Sequence, residues 1–303
     1  MQRGLQRSFV TELHTRIGTT VLVRGWVYRL RVLAKTTFII VKDCYLAQSP
    51  QFYKEHGVAG FERVFETGHV YRAEPHATSR HLTEYYSLDL EMGFIDGPED
   101  VIQLERELLT FMFDRLNSEH ATTLAGHRTS PLPSMLNVPT WEFGECVDRL
   151  GRTDLTDDLD PEAERQLCRI AEDECGVGAV FVIGFPLVAR PFYTHPRTET
   201  SAAGFDLLFG GLEITTGGQR LHRREDLERS LISRGISPDS FESHLRMFEL
   251  GMPPHGGLAI GLERLTGPGP GPAEHSGGGP LSAGSLSPYS IGFGRRTDIR
   301  SPY

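Results

Sequence analysis

Residues 204–222 read GFDLLFGGLEITTGGQRLH, and within them Asp206 and Glu213 interrupt a run otherwise suited to a buried strand. Two strands, FDLLF and LEITT, turned at Gly210-Gly211, would bring both carboxylates to one side of a sheet with the Thr216 hydroxyl nearby. Such a set suits a hard cation, because Mg2+ is ordinarily held by one or two carboxylates together with substrate phosphates. Arg220, just beyond, has the planar fork of donors that grips a carboxylate through two parallel bonds. Taken alone, the run reads more simply as a solvated strand face with ordinary charges.

A second group lies in VYRAEPHATSRHL, residues 70–82. Arg72 and Glu74 alternate, so on a strand they share a face, and Arg80 and His81 would lie on a loop folding back over it. In a sheet-lined cleft these residues describe a nucleoside triphosphate site. Arg72 would neutralise an α-phosphate, Glu74 would accept from an adenine amino group, and the loop would close on the distal phosphates. An ordinary hairpin with a charged tip is the plainer reading of the same residues. A third group is GLAIGLERL (257–265), where Gly261 permits close backbone approach and Arg264 opens a helix. Neither a Walker sequence nor GxGxxG occurs, so P-loop and dinucleotide-type sites are excluded.

The elements that must position these residues follow from patterning. Residues 20–43 predict two strands, Val21–Leu30 and Thr36–Lys42, around a short basic turn. A short helix and a strand ending near Arg72 come next, and residues 75–84 form the loop to an antiparallel partner. That partner, YYSLDLEMGFID (85–96), alternates Ser87, Asp89 and Glu91 with Leu88, Leu90, Met92 and Phe94, giving a strand with two unlike faces. Apolar residues at helical spacing predict a helix over 99–118. Asp160 as N-cap, Pro161 in the first turn and Gly176 at the end bracket a second. AVFVIGFP (179–186) predicts a buried strand, 225–250 one or two helices, and HGGLAIGLERLT a strand running into a helix. Residues 267–303 hold nine Gly, six Pro and six Ser with no periodicity, and are expected to be disordered.

Composition bounds the class. With 303 residues, 39% hydrophobic and 23% charged, the chain can bury a large core, and it contains no apolar run long enough to span a bilayer. The basic N-terminus lacks the apolar segment of a secretory signal, and Cys44, Cys146, Cys168 and Cys175 form no zinc or CxxC spacing, so a cytoplasmic location is expected. Net charge is −9, yet residues 1–42 carry eight Lys/Arg against Glu12 alone. A basic arm on an acidic body can meet phosphates while the rest stays clear. Arg outnumbers Lys 28 to three, which makes Lys54 a notable choice.

Together these segments resemble the class II aminoacyl-tRNA synthetases, in the archaeal-type aspartyl/asparaginyl branch. VYRAEPHATSRHLTEYYSLDLEMGFI is similar to that family's motif 2, HGGLAIGLERL to motif 3, GFDLLFGGLEITTGGQRLH to its metal- and substrate-binding hairpin, and YLAQSPQFYK to its amino-acid-binding segment. VRGWVYRLRVLAKTTFIIVKD resembles the opening strands of its OB-fold anticodon barrel. The likeness runs from about residue 8 to 266. It implies an α+β fold with an antiparallel catalytic sheet flanked by helices. It also implies a two-step ligase reaction in which aspartate and ATP give aspartyl-adenylate and then aspartyl-tRNA (Asp, or Asp and Asn), with Mg2+.

By that resemblance Arg72 and Arg264 are catalytic: Arg72 contacts the α-phosphate and the amino-acid carboxylate, and Arg264 stacks on adenine and faces the γ-phosphate. The ATP site would comprise Arg72, Ala73, Glu74, Arg80, His81, Leu82, Glu213, Gly261, Leu262, Glu263 and Arg264. Gln51, Phe52, Tyr53, Lys54, Arg72, Thr216 and Arg220 would hold aspartate, and Glu213, Thr216 and Asp206 the metal. Lys54 and Arg220 are expected to converge on one substrate carboxylate. A neutral amide in its place would leave a cation uncompensated, at about 1–3 kcal/mol.

The sequence departs from the family after Lys42-Asp43, where the rest of the barrel and motif 1 would stand, and after residue 266, where a long helix would follow. The expected organisation is therefore a partial OB element (1–43), a catalytic domain without motif 1 (44–266) and the tail (267–303). Motif 1 supplies much of the family's homodimer interface. Alternatives left open are an asparagine synthetase-like or asparaginyl-tRNA synthetase-related ligase, and a non-catalytic relative that binds ATP, tRNA or a partner.

Overall fold

Asp160 shows how directly local chemistry sets the elements: its carboxylate accepts from the backbone N–H groups of Glu162 and Ala163, opening a helix that Gly176 closes in the left-handed conformation at φ 72°. The computed structural model describes residues 8, 10–23, 26–33, 36–42, 47–71, 82–126 and 130–267. The tail beyond 267 lies outside them.

The first strands, β1 (Trp26–Leu33) and β2 (Thr36–Lys42), form a two-stranded antiparallel sheet. β1 begins later and runs further than its apolar pattern predicts. There follow α1 (Gln51–Phe61), β3 (Arg63–Tyr71), β4 (Glu84–Gly93), α2 (Pro98–Glu119), α3 (Ala121–Ala125), β5 (Thr140–Glu142), α4 (Phe143–Leu150), α5 (Pro161–Cys175), β6 (Ala179–Ile183), β7 (Gly204–Phe209) and β8 (Leu212–Gln219). The described chain ends with α6 (Arg224–Ser233), α7 (Glu242–Phe248), β9 (His255–Gly261) and α8 (Leu262–Thr266).

Seven strands make one sheet in the order β3-β4-β9-β8-β7-β6-β5. Every pair is antiparallel except β5 with β6, a parallel edge pairing that makes the sheet mixed rather than wholly antiparallel. Helix α2 covers one face. Its Val101, Ile102, Leu109 and Phe113 pack on Leu90, Phe181, Phe205, Leu207, Ile214, Leu258 and Ile260. On the opposite face α4 and α5 bury Phe143, Cys146, Leu167 and Ala171 against Val180, Val182 and Leu208. Strand β6 therefore faces a core on both sides, which is why AVFVI reads as an unbroken apolar run. A third cluster, Leu227, Leu231, Leu245 and Phe248, ties α6 to α7.

Near β3 and β4 the face opposite α2 is covered by α1. Leu90 and Met92 belong to the α2 core, so Asp89 and Glu91 point the other way. Both are buried, at 2% and 0% exposure. The polar face of β4 is thus an interior surface, and what it buries is charge.

Candidate active site

The charges on β4 are met by cations from two distant elements. Lys54 lies in the first turn of α1, and its Nζ sits 3.1 Å from Asp89 Oδ1 and 3.4 Å from Glu91 Oε2. It also donates to the carbonyls of Leu90 at 3.3 Å and Leu258 at 3.1 Å. Arg220 follows β8, and its N–H donates to the His255 carbonyl, which anchors it beside β9. Its Nε donates to Glu91 Oε1 at 3.0 Å and its Nη2 to the Gly257 carbonyl at 3.0 Å. A Cβ on Gly257 would stand 2.1 Å from the Leu90 carbonyl and 2.3 Å from Glu91 Oε2, so only glycine admits the carboxylate there.

Glu91 therefore joins Lys54 and Arg220 from between them. Burial pushes its carboxyl up, but Arg220 and Lys54 outweigh that and hold it below the usual range. With Asp89, further fixed by Ser87 Oγ at 2.5 Å, the cluster contains two cations and two anions. Lys54 and Arg220 were expected to converge on one substrate carboxylate; in the structure both already meet on Glu91. Lys54 spends its donors inside the protein. Arg220 keeps Nη1 without a hydrogen-bond partner among the described residues, so it is the cation available to an incoming carboxylate.

The second group forms where β7 and β8 pair. Gly210 and Gly211, at φ 60° and 81°, make the tight turn that the sequence predicts. Asp206 stands opposite Thr216, Leu208 opposite Glu213, and Ile214 is left without a partner as a bulge. That one extra residue cancels the odd spacing between Glu213 and Thr216 and lets both serve the site face. Thr216 Oγ1 donates to Asp206 Oδ1 at 2.6 Å, and Arg190 grips both Asp206 oxygens at 3.0 and 2.7 Å while stacking 3.7 Å over Phe185.

Asp206 is thus engaged by Arg190, and the carboxylate better placed for a cation is Glu213. Burial first, then the nearby Asp206, pushes the Glu213 carboxyl up to about 7, with Arg264 pulling the other way. A carboxylate so placed gains from added positive charge. Among the described residues no group of three or more His, Cys, Asp or Glu is arranged to hold a metal by itself. Glu213 with Thr216 fits a Mg2+ that takes its remaining oxygens from substrate phosphates. Arg264, in α8, donates from Nη1 to the Glu213 carbonyl at 2.8 Å and lies 3.6 Å from its carboxylate. Glu263 accepts the Tyr86 N–H at 2.9 Å, which ties α8 to β4 at the Gly261–Leu262 junction.

Other expected residues are placed apart. Phe52 packs in an aromatic group with His244, Phe192 and Phe241, and Tyr53 is 80% exposed. Gln51 donates to Glu55 at 2.6 Å. Leu82 is half-buried just ahead of β4, whereas Arg72, Ala73, Glu74, Arg80 and His81 lie outside the described residues. Asp89, Glu91 and Arg190 were not anticipated as site residues. The alternation in SLDLEM carried the signal for the two acids, but whether a polar strand face meets water or a covering helix is a tertiary matter.

The comparisons with known proteins agree with this architecture. Residues 25–267 match the family model for tRNA synthetases class II (D, K and N). The aspartate–tRNA(Asp/Asn) ligase of Thermus thermophilus is 46% identical over 277 residues, covering 87% of this chain and 63% of that protein. The Deinococcus radiodurans enzyme of the same name is 47% identical over 233 residues, covering 73% and 54%. The chain therefore spans less than two thirds of these relatives. Among solved structures, the aspartyl-tRNA synthetase of Entamoeba histolytica superposes with a TM-score of 0.68 at 32% identity, covering 74% of this chain and 48% of that one. Asparaginyl-tRNA synthetase from Pyrococcus horikoshii, complexed with asparaginyl-adenylate, gives 0.66 at 26% identity, with 79% and 55% covered. The chain belongs to the class II tRNA synthetases of the D, K and N group.

Proposed function

We propose that the site activates aspartate with ATP and passes it to tRNA, as an aspartate–tRNA ligase. The observation that carries this reading is the meeting of Lys54 and Arg220 on Glu91, in a buried spot bordered by a strand hairpin that bears Glu213 and Thr216. Arg220 Nη1 takes the aspartate side chain, and Lys54 holds Glu91 and Asp89 in place behind it. Arg72 acts on the α-phosphate, Arg80 and His81 on the distal phosphates, Glu74 on adenine, and Arg264 stacks on adenine and faces the γ-phosphate. Glu213 and Thr216, with Asp206 and Arg190 supporting, would hold a Mg2+, which would supply charge neutralisation on the phosphates. The amino-acid carboxylate attacks the α-phosphorus in line and pyrophosphate leaves, so no protein nucleophile is needed.

The organisation proposed is a basic OB-like element over 1–43, which faces tRNA, and a catalytic domain over 44–266. The names of the Thermus and Deinococcus relatives support tRNA(Asp) and tRNA(Asn) as acceptors. No helix among the described residues is long and apolar enough to cross a membrane, and free Cys146, Cys168 and Cys175 suit a reducing cytoplasm.

The test is aspartate-dependent ATP–pyrophosphate exchange with Mg2+, using asparagine as control and Arg220→Ala as blank. Exchange with aspartate that disappears in the variant is expected. Folded protein that binds ATP yet gives no exchange would overturn the reading in favour of a non-catalytic relative.

A further inference from the structure

Behind the Lys54–Glu91–Arg220 cluster lies a carboxyl that the proposed reaction does not use. Glu55, next to Lys54 on α1, is 0% exposed. Its Oε1 accepts from Gln51 Nε2 at 2.6 Å. Its Oε2 has no hydrogen bond among the described residues and faces His244 Nε2 of α7 at 3.4 Å, an atom equally buried and equally without one among them. The other nitrogen of that ring, His244 Nδ1, is 2.9 Å from His56 Nε2, and His56 is half-buried toward the surface. A buried acid is thus connected to the protein's exterior through two imidazoles.

The charge balance says what such a chain is for. Lys54, Arg220, Asp89 and Glu91 already sum to zero, so an aspartate side chain entering beside Arg220 leaves the enclosure one charge negative. An ionised Glu55 would add a second negative charge in the same dry space, close to Glu91. The groups facing Glu55 are Gln51 and Lys54 from α1, Glu91 from β4, Arg220 after β8 and His244 from α7, with His255 of β9 behind. The two cations are already paired, which leaves Glu55 as the group free to change charge.

We infer that Glu55 is a positioning residue that matches the charge of the amino-acid pocket to its occupant, holding a proton when a substrate carboxylate is bound and exchanging it with solvent through His244 and His56. This inference rests on the aspartate reading above. The transfer balances. The Glu55 proton passes to His244 Nε2 as the Nδ1 proton passes to His56 Nε2, and His56 releases one to water. Burial, then Glu91, pushes the Glu55 carboxyl up to about 8, and burial, then His56, pushes His244 down to about 4, so the middle ring is neutral and able to relay. Aspartate binding is accordingly linked to Glu55 protonation, whereas asparagine, neutral at its side chain, is not.

Isothermal titration of the full chain with aspartate at pH 8, in two buffers of different ionisation heat, tests this. Uptake of about half a proton per bound aspartate is expected, with an aspartate Kd that rises about fifteenfold from pH 8 to pH 9.5. Glu55→Gln, the uncharged isostere, should abolish both the uptake and the rise, and Glu55→Asp should restore a titration at a shifted pH. A purely structural role would move neither profile. Aspartate binding without proton uptake by the wild-type chain, or an unchanged pH profile in Glu55→Gln, would overturn the inference while leaving the ligase reading intact. Failure of the folded chain to bind aspartate at any pH would overturn both.

Discussion

Replacing Glu91 with Gln removes one charge from a fully buried cluster and changes almost no volume. Glu91 touches Arg220 Nε at 3.0 Å and Lys54 Nζ at 3.4 Å. At an effective dielectric of about 20, each contact corresponds to roughly 5 kcal/mol of attraction, most of it offset by removing the charges from water. Loss of one partner leaves the desolvation of the others unmatched, which costs about 3–5 kcal/mol. Glu91→Gln is therefore expected to lower stability by about that amount and Tm by roughly 6–20 °C.

Urea denaturation followed by far-ultraviolet circular dichroism at pH 7 measures it. Because the Glu91 carboxyl is held below the usual range, its contribution is present above the ordinary carboxylate pKa and is lost as pH falls through the lowered folded value. The deficit of the variant should consequently be constant between about pH 5 and 6, above the Glu91 titration and below the range in which Glu55, itself pushed up by Glu91, changes charge. The double substitution Glu91→Gln with Arg220→Gln restores neutrality and should be less destabilised than the sum of the two single ones by about 1–3 kcal/mol. A single variant within about 1 kcal/mol of wild type, or strict additivity in the double, would refute the reasoning.

Two further outcomes follow from burial and space. Glu105 of α2 is 0% exposed, neither carboxyl oxygen makes a well-formed hydrogen bond among the described residues, and burial, opposed by the nearby Thr215 hydroxyl, pushes its carboxyl up to about 8. A folded pKa above the unfolded value of about 4.3 means that stability falls as pH rises between the two, so Glu105→Gln should be more stable than wild type by a few kcal/mol at pH 8. Their difference in urea midpoint should grow from pH 5 to pH 8, and a pH-independent difference would count against it. Gly257→Ala places a methyl group 2.1 Å from the Leu90 carbonyl and 2.3 Å from Glu91 Oε2, so it should push β4 and β9 apart and cost about 3 kcal/mol or more. Unchanged Tm and aspartate binding in that variant would show that Glu91 has room to move.

Most of the architecture was legible because it is local. Asp160, Pro161 and Gly176 bracket α5 through capping and a left-handed residue, and Gly210-Gly211 fixes the β7–β8 hairpin through positive φ. The short α4 and the edge strand β5 escaped, since a few residues of apolar pattern do not distinguish helix from strand and a parallel edge pairing has no local signal. The motif residues in QSPQFYK, GFDLLFGGLEITT and GLAIGLERL carried the family resemblance, and the family comparison bears it out.

By itself the sequence determined which side chains with useful chemistry exist and on which elements they ride, because residue type, turn residues and periodicity act over a few residues at a time. Only the tertiary structure decided their partners. The packing of α1 over β4 turns Asp89 and Glu91 into buried counter-ions of Lys54 and Arg220. A one-residue bulge at Ile214 brings Glu213 and Thr216 to the same side, and Arg190 arrives from outside the hairpin to take Asp206. The approach of α7 puts His244 against Glu55. Charge pairing and burial depend on distances between segments far apart in the chain, and no spacing within a motif encodes them.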